Sequence, residues 1–299
     1  MSLHAAYIGI ILIWSTTPLA IKWSGDDAGF LFGVTSRMLI GTFVCILIML
    51  FMKQRLQWHS RAVYTYLAAS IAVYGSMMSI YWGTQFISSG MLSVLFGLTP
   101  LLTGVLSAAL LKEKAITPSK IFGILLGIAG LFAVFQDDII LGDRAMQGIM
   151  AILFATLLHS LSTVLVKRID CQLPGIVINT GSLSIASILF IITWIISGST
   201  LPEVIPVRSG LAILYLGILG NVVGFTLYYY ALKHMDANKI GMIPLITPVM
   251  ALMLGNIFNG ETISTGLILG AALIMSGLVV HQWGPLIRNR LKTQDSNVI

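Results

Sequence analysis

The residue best placed for chemistry is His159, in the middle of an apolar stretch from about 146 to 166. An imidazole changes charge near neutral pH, and an ionisable group among apolar neighbours is costly unless it faces a cavity or a partner. It can contact a polar ligand or pass a proton, or it can be a neutral ring bonded to a neighbouring helix. The residues alone leave both readings open. A second polar break is Trp14-Ser15-Thr16-Thr17-Pro18. Proline frees a helix carbonyl, and nearby hydroxyls can re-satisfy that backbone or bind a ligand. Pro100, Pro244 and Pro248 are expected to break two later apolar stretches in the same way. With Pro18 they are the candidate hinges.

Aromatic residues add a third kind of contact. Tyr74, Tyr81, Trp82, Phe225 and Tyr228–Tyr230 crowd two stretches. Their faces could hold an apolar side chain or an ammonium group. Tyr and Trp also anchor at membrane interfaces, which suits Tyr81, Trp82 and Tyr228–Tyr230 near stretch ends. Tyr74 and Phe225 lie deeper, as does Asn221, whose amide could orient a polar group or join two helices. The binding set expected from these residues is Trp14, Thr17, Tyr74, Tyr81, Ser93, His159, Asn221 and Phe225. Arg37, two turns inside its stretch, is expected to snorkel outward toward Asp26 or Asp27, with an anion gate as the other reading. Glu113 and Glu261 read as structural, each at a turn into the next helix.

Machinery for catalysis is missing. His4, His59, His159, His234 and His281 are scattered, and no metal-ligand spacing, phosphate loop or triad occurs. Cys45 and Cys171 make no disulfide framework. The expectation is a protein that is not an enzyme and needs no cofactor or metal.

The elements that must position these residues are membrane helices. Of the 299 residues 57% are hydrophobic and only 9% charged, with mean hydropathy +0.94. Soluble proteins carry about 25% charged residues, so lipid must cover most of this surface. Ten spans of the required length are predicted, at 5–23, 30–52, 63–82, 90–111, 119–136, 146–166, 175–197, 208–230, 238–258 and 264–283. Thirteen Lys and Arg residues fall on the side of the termini, whereas only Lys22, Arg144 and Arg208 fall opposite. The positive-inside rule then puts both termini in the cytoplasm. The net charge of +6 is a topology signal, not a nucleic-acid footprint. The last dozen residues are polar and read as disordered.

The chain is also duplicated. At an offset of about 148 positions Tyr81 falls on Tyr229, Thr99-Pro100 on Thr247-Pro248, and Glu113 on Glu261. Five spans per half is an odd number, so the copies must be threaded in opposite senses. The expected architecture is an all-α membrane protein of two inverted five-helix repeats, 1–140 and 141–287, with a cytoplasmic polar tail at 288–299. Gly123 and Gly127, and Gly266 and Gly270, are small-residue pairs in the last span of each half, joined by Gly220 and Gly224. They predict close packing within one chain or across a homodimer.

These residues resemble the drug/metabolite transporter superfamily, specifically its EamA-type ten-helix exporters. The matching pieces are IWSTTPLAIK at 13–22, SRML around Arg37, a Thr-Pro followed thirteen positions later by Glu in both halves, and GETISTGLILGAALIMSGLVV at 260–280. The resemblance implies a multi-pass carrier of the bacterial inner membrane, often an exporter of amino acids or related metabolites. The expected partners are a small-molecule substrate and membrane lipid, with no nucleic acid. An exporter of amines or cationic drugs is the alternative, with an intramembrane enzyme further behind.

Overall fold

The computed structural model describes residues 3–26, 28–111, 117–135, 144–235 and 243–296. Ten long helices and no strand lie among them: α1 (Leu3–Asp26), α2 (Phe30–Phe51), α3 (Ser60–Gly83), α4 (Ser89–Leu110), α5 (Pro118–Phe135), α6 (Ala145–Ile169), α7 (Gly175–Ile196), α8 (207–234), α9 (Ile243–Asn259) and α10 (Thr265–Ser296). Nine are long and apolar enough to cross a bilayer, and α9 is a shorter apolar helix. Helices satisfy every backbone donor internally, which lipid demands. α5 shows how side chains divide. Ile121, Phe122, Leu125, Ile128 and Phe132 face outward, while Gly123, Gly127, Gly130 and Val134 are buried.

The packing has two-fold symmetry. α1 packs on α8 and α9, and its counterpart α6 packs on α3 and α4; α2 meets α7, α4 meets α9 and α5 meets α10. Every one of these contacts joins one half to the other. The α5–α10 crossing fixes the sense of threading. A Cβ on Gly123 would stand 2.5 Å from the Gly277 carbonyl oxygen, and one on Gly130 would stand 2.7 Å from that of Gly270. Gly123 corresponds to Gly270 and Gly130 to Gly277, so one contact is the other with its members exchanged. As α5 ascends, α10 descends. Equivalent helices that run antiparallel mean inverted repeats, and the glycines bring them together within one chain.

Helix continuity has three outcomes, of which the break before Pro100 is the expected one. α4 breaks at residues 97–98, before Pro100. Pro100 cannot donate to the Phe96 carbonyl, and the Thr99 hydroxyl takes that carbonyl instead at 2.6 Å. α9, by contrast, runs unbroken through Pro248, and α1 runs unbroken through Pro18. The expected break in the ninth span is absent over the described residues. An interior proline forfeits only one bond, and the flanking turns carry the helix past it. Third, α10 stays helical to Ser296, so the tail read as disordered is helical as far as it is described. Its Arg, Leu, Lys and Gln residues are good helix formers.

α3 and α8 share a feature the residues did not announce. Each carries a π-helical stretch, Ile71–Ser76 in α3 and Leu216–Val223 in α8, at corresponding positions of the two halves. Such wide turns release backbone groups and recur at functional sites. Asn179 Nδ2 donates to the carbonyl of Asn221 inside the second stretch, at 2.9 Å.

Candidate functional site

The expected binding residues fall into three groups around the contact between the halves. In the first, Trp14 on α1 stacks on Tyr228 of α8, with ring centroids 5.0 Å apart. Gly224 lets the indole approach: a Cβ there would stand 3.4 Å from Trp14 Nε1. Phe225 is half-buried on the same helix. Thr17 donates to the Ile13 carbonyl at 2.6 Å, so its hydroxyl is spent on its own helix. Its neighbour Thr16 also donates within its own helix, to the Leu12 carbonyl at 2.8 Å, and in addition pairs with the Tyr215 hydroxyl of α8.

Asn221 belongs to the same group, and its partner overturns one expectation. Arg37 does not snorkel to the surface. It is 4% exposed, and its Nε and Nη2 both donate to Asn221 Oδ1, at 3.1 and 2.9 Å. The Asn221 amide returns a bond to the Arg37 carbonyl at 3.3 Å. Gly41 and Gly217 make this possible. A Cβ on Gly41 would collide with the Asn221 amide, and one on Gly217 would collide with Ile40. The two backbones therefore come close enough for arginine to reach across rather than out.

In the second group, Tyr74 lies on the π stretch of α3. It packs edge-on against Phe190 of α7, centroids 4.8 Å apart, and its hydroxyl pairs with Thr193 Oγ1 at 2.7 Å. In the third, His159 of α6 meets the edge of Phe96 of α4 at 5.2 Å. Its Nδ1 is buried without a hydrogen-bond partner among the described residues. Ser93 is buried one turn before the α4 break. Tyr81 is fully buried and pairs with Ser24 at 3.0 Å, which makes it core rather than an interface anchor. Trp82 is 37% exposed.

Of the hinge candidates, Pro244 and Pro248 border a crevice between α4, α9 and α10, shared with Gly97 and Ile274 and too narrow for a water molecule. Among the described residues no group of His, Cys, Asp or Glu could hold a metal ion.

A polar clasp closes the face opposite the termini. Lys22 Nζ donates to the carbonyls of Thr84 and Ile87 at 2.9 and 3.1 Å, placing a cation at the C-terminus of α3. Glu261 accepts from Ser89 N, Ser89 Oγ and Gly90 N at 3.0, 2.9 and 3.1 Å. It thus caps the first turn of α4 rather than its own next helix. Asn259 donates to Glu261 Oε1 at 3.1 Å and accepts from Trp23 and Arg208. The clasp joins α1, α4, α8 and α9. Glu113, its counterpart in the first repeat, lies outside the described residues.

Comparison with known proteins accounts for the architecture. The EamA-like transporter family matches residues 3–136 and again residues 146–281. The chain belongs to the EamA-like transporter family. Its two matched segments cover nearly all ten helices, one match to each repeat. Among its relatives is the "Uncharacterized transporter YoaV" of Bacillus subtilis (strain 168), 26% identical and covering 92% of this chain and 94% of that one. Another is the "S-adenosylmethionine/S-adenosylhomocysteine transporter" of Chlamydia muridarum (strain MoPn / Nigg), 25% identical over 90% of this chain and 89% of that protein. A solved crystal structure with 23% identity superposes at a TM-score of 0.66 and covers 97% of this chain and 98% of its own. It shows the shared fold. This EamA-like chain is therefore a multi-pass membrane protein of a transporter family.

The Arg37–Asn221 pair, the Tyr215–Thr16 pair and the twin π stretches were missed. Arg37 itself was visible as a lone charge in a span. Its direction was not, because Asn221 is 184 positions away in the chain.

Proposed function

We propose that this protein is a secondary transporter that exports small metabolites, amino acids foremost, across the bacterial inner membrane with both termini in the cytoplasm. Transport runs by alternating access. The two inverted repeats rock about their mutual contact and expose a central passage first to one side, then to the other. The observation that carries this reading is the exchange symmetry of the packing, in which the contacts of α1 with α8 recur as those of α6 with α3. A state closed on one face then has a near-mirror counterpart closed on the other. The far-face clasp supports an outwardly closed state. Trp14, Tyr74, His159 and Phe225, together with Thr17, Ser93 and Asn221, are the proposed cargo contacts. Pro18, Pro100, Pro244 and Pro248 are the proposed flexing points, Pro100 foremost because its helix is broken.

The relative that carries S-adenosylmethionine supports an amino-acid-like cargo, since that molecule ends in an α-amino acid. The chain acts as a carrier rather than an enzyme. The test is counterflow in proteoliposomes loaded with each of the common amino acids and with S-adenosylmethionine. Saturable exchange above that of empty vesicles is expected for at least one, and uptake no faster than leak for all of them refutes the reading. Flux that ignores an imposed pH gradient and survives His159→Ala removes His159 as a proton-coupling site.

A further inference from the structure

We propose that Arg37 is the anchor for a carboxylate of the cargo, at the contact of α2, α3 and α8; the assignment rests on the carrier reading above. Arg37 is 4% exposed, and no carboxylate among the described residues pairs with its guanidinium. A lone buried charge is among the costliest groups a membrane protein can hold, and it marks a ligand path by default. Asn221 Oδ1 is neutral. It takes the Nε and Nη2 protons on one side of the group and so fixes its plane.

That leaves the end-on fork of Nη1 and Nη2. Among the described residues Nη1 meets only the soft thioether of Met77, at 3.9 Å. A planar fork with two free donors matches a carboxylate in bidentate fashion. One carboxylate also neutralises one guanidinium, whereas a phosphate monoester, at about −2, would leave a buried anion in its place. The surroundings suit an occupant that comes and goes. Met77 follows directly on the π stretch of α3, and Asn221 lies within that of α8. Methionine is flexible enough to step aside. Gly220 leaves the approach to Nη2 clear, since a Cβ there would sit 3.5 Å from it. Among the described residues the buried hydroxyls of Ser15, Thr35 and Ser76 have no partner.

The test uses the full chain in detergent, with ligand-induced thermal shifts for L-leucine, L-phenylalanine and their primary amides, which keep the ammonium and lose the carboxylate. The acids are expected to bind at least tenfold more tightly than the amides. Arg37→Gln is expected to erase that preference and Arg37→Lys to restore part of it. Should Arg37→Gln fail to fold, Met77→Glu places a carboxylate against Nη1, and acid binding is expected to fall tenfold or more while the protein itself melts higher. Equal binding of acid and amide, no binding of either acid at 10 mM, a preference that survives Arg37→Gln, or acid binding indifferent to Met77→Glu each overturns the assignment. Flux of the same compounds into proteoliposomes separates the two ideas. Flux without acid preference keeps the carrier and removes the anchor. Arg37-dependent acid binding without flux keeps the anchor and removes the carrier.

Discussion

The far-face clasp allows a quantitative prediction at Glu261. Its carboxylate takes two backbone N–H groups, of Ser89 and Gly90, that the first turn of α4 leaves without helical partners, and the Ser89 hydroxyl as well. Hydrogen bonds to a charged acceptor contribute about 1.5–3 kcal/mol each. Glu261 is half-buried, so screening cuts each to about 1 kcal/mol. Glu261→Ala should therefore cost about 3 kcal/mol, and Glu261→Gln, which keeps one acceptor, roughly half that. At about 2–4 °C per kcal/mol for a large domain, the alanine variant should melt roughly 6–12 °C lower in detergent. Gly255 supplies an independent route to the same contact. A methyl group there would collide with Glu261 Oε2 and come within 2.9 Å of Ser89 Oγ. Gly255→Ala should thus displace the carboxylate. The helix-propensity gain of about 1 kcal/mol leaves a net loss of roughly 2 kcal/mol. Because both substitutions break one contact, their combination should cost about 2 kcal/mol, less than Glu261→Ala alone, since only the helix-propensity gain remains for the second change. Melting of Glu261→Ala within 2 °C of the parent protein, or full additivity in the double variant, refutes the clasp.

At the α5–α10 crossing, Gly123→Val and Gly277→Val should each cost at least about 3 kcal/mol, because the opposing atoms are backbone. Leu125→Ala, on the lipid-facing side of the same helix, should change melting by under about 0.5 kcal/mol. Tyr74→Phe removes the bond to Thr193 and should cost about 1 kcal/mol, visible in thermal melts, with Tyr74→Ala worse through lost packing on Phe190. A fluorescent-protein fusion to Ile299 should fluoresce and an alkaline phosphatase fusion there should be inactive; the opposite pattern reverses the assigned orientation.

Hydropathy made the scaffold legible almost to the residue: a span expected at 30–52 is a helix at Phe30–Phe51, and one at 175–197 is a helix at Gly175–Ile196. Transfer to lipid is a local property, so local composition reports it. Inversion was legible for a different reason, since parity of span number is arithmetic. The candidate site was legible only as residue types. Tyr81 and Tyr74 lie in one helix and look alike in the chain, yet one is core and the other contacts α7 at a π stretch.

Arg37 shows the limit most clearly. Snorkelling is the cheaper course for a lone cation when its backbone faces lipid, because the long stem carries the charge out to water. At position 37 the backbone faces α8 instead, drawn close by Gly41 and Gly217, and an outward path would cross packed helix. Among the described residues the side chain then has a neutral amide as its only strong partner. A protein under selection for stability alone would do better with an apolar residue in that place, since a buried charge paired only with dipoles recovers little of its desolvation cost. Retaining the charge there makes sense if something negative completes the pair for part of the cycle. In that event, binding the anion removes a standing penalty, and the occupied protein is the more compact and more stable one. That gain is what a carrier needs to move its halves only when loaded.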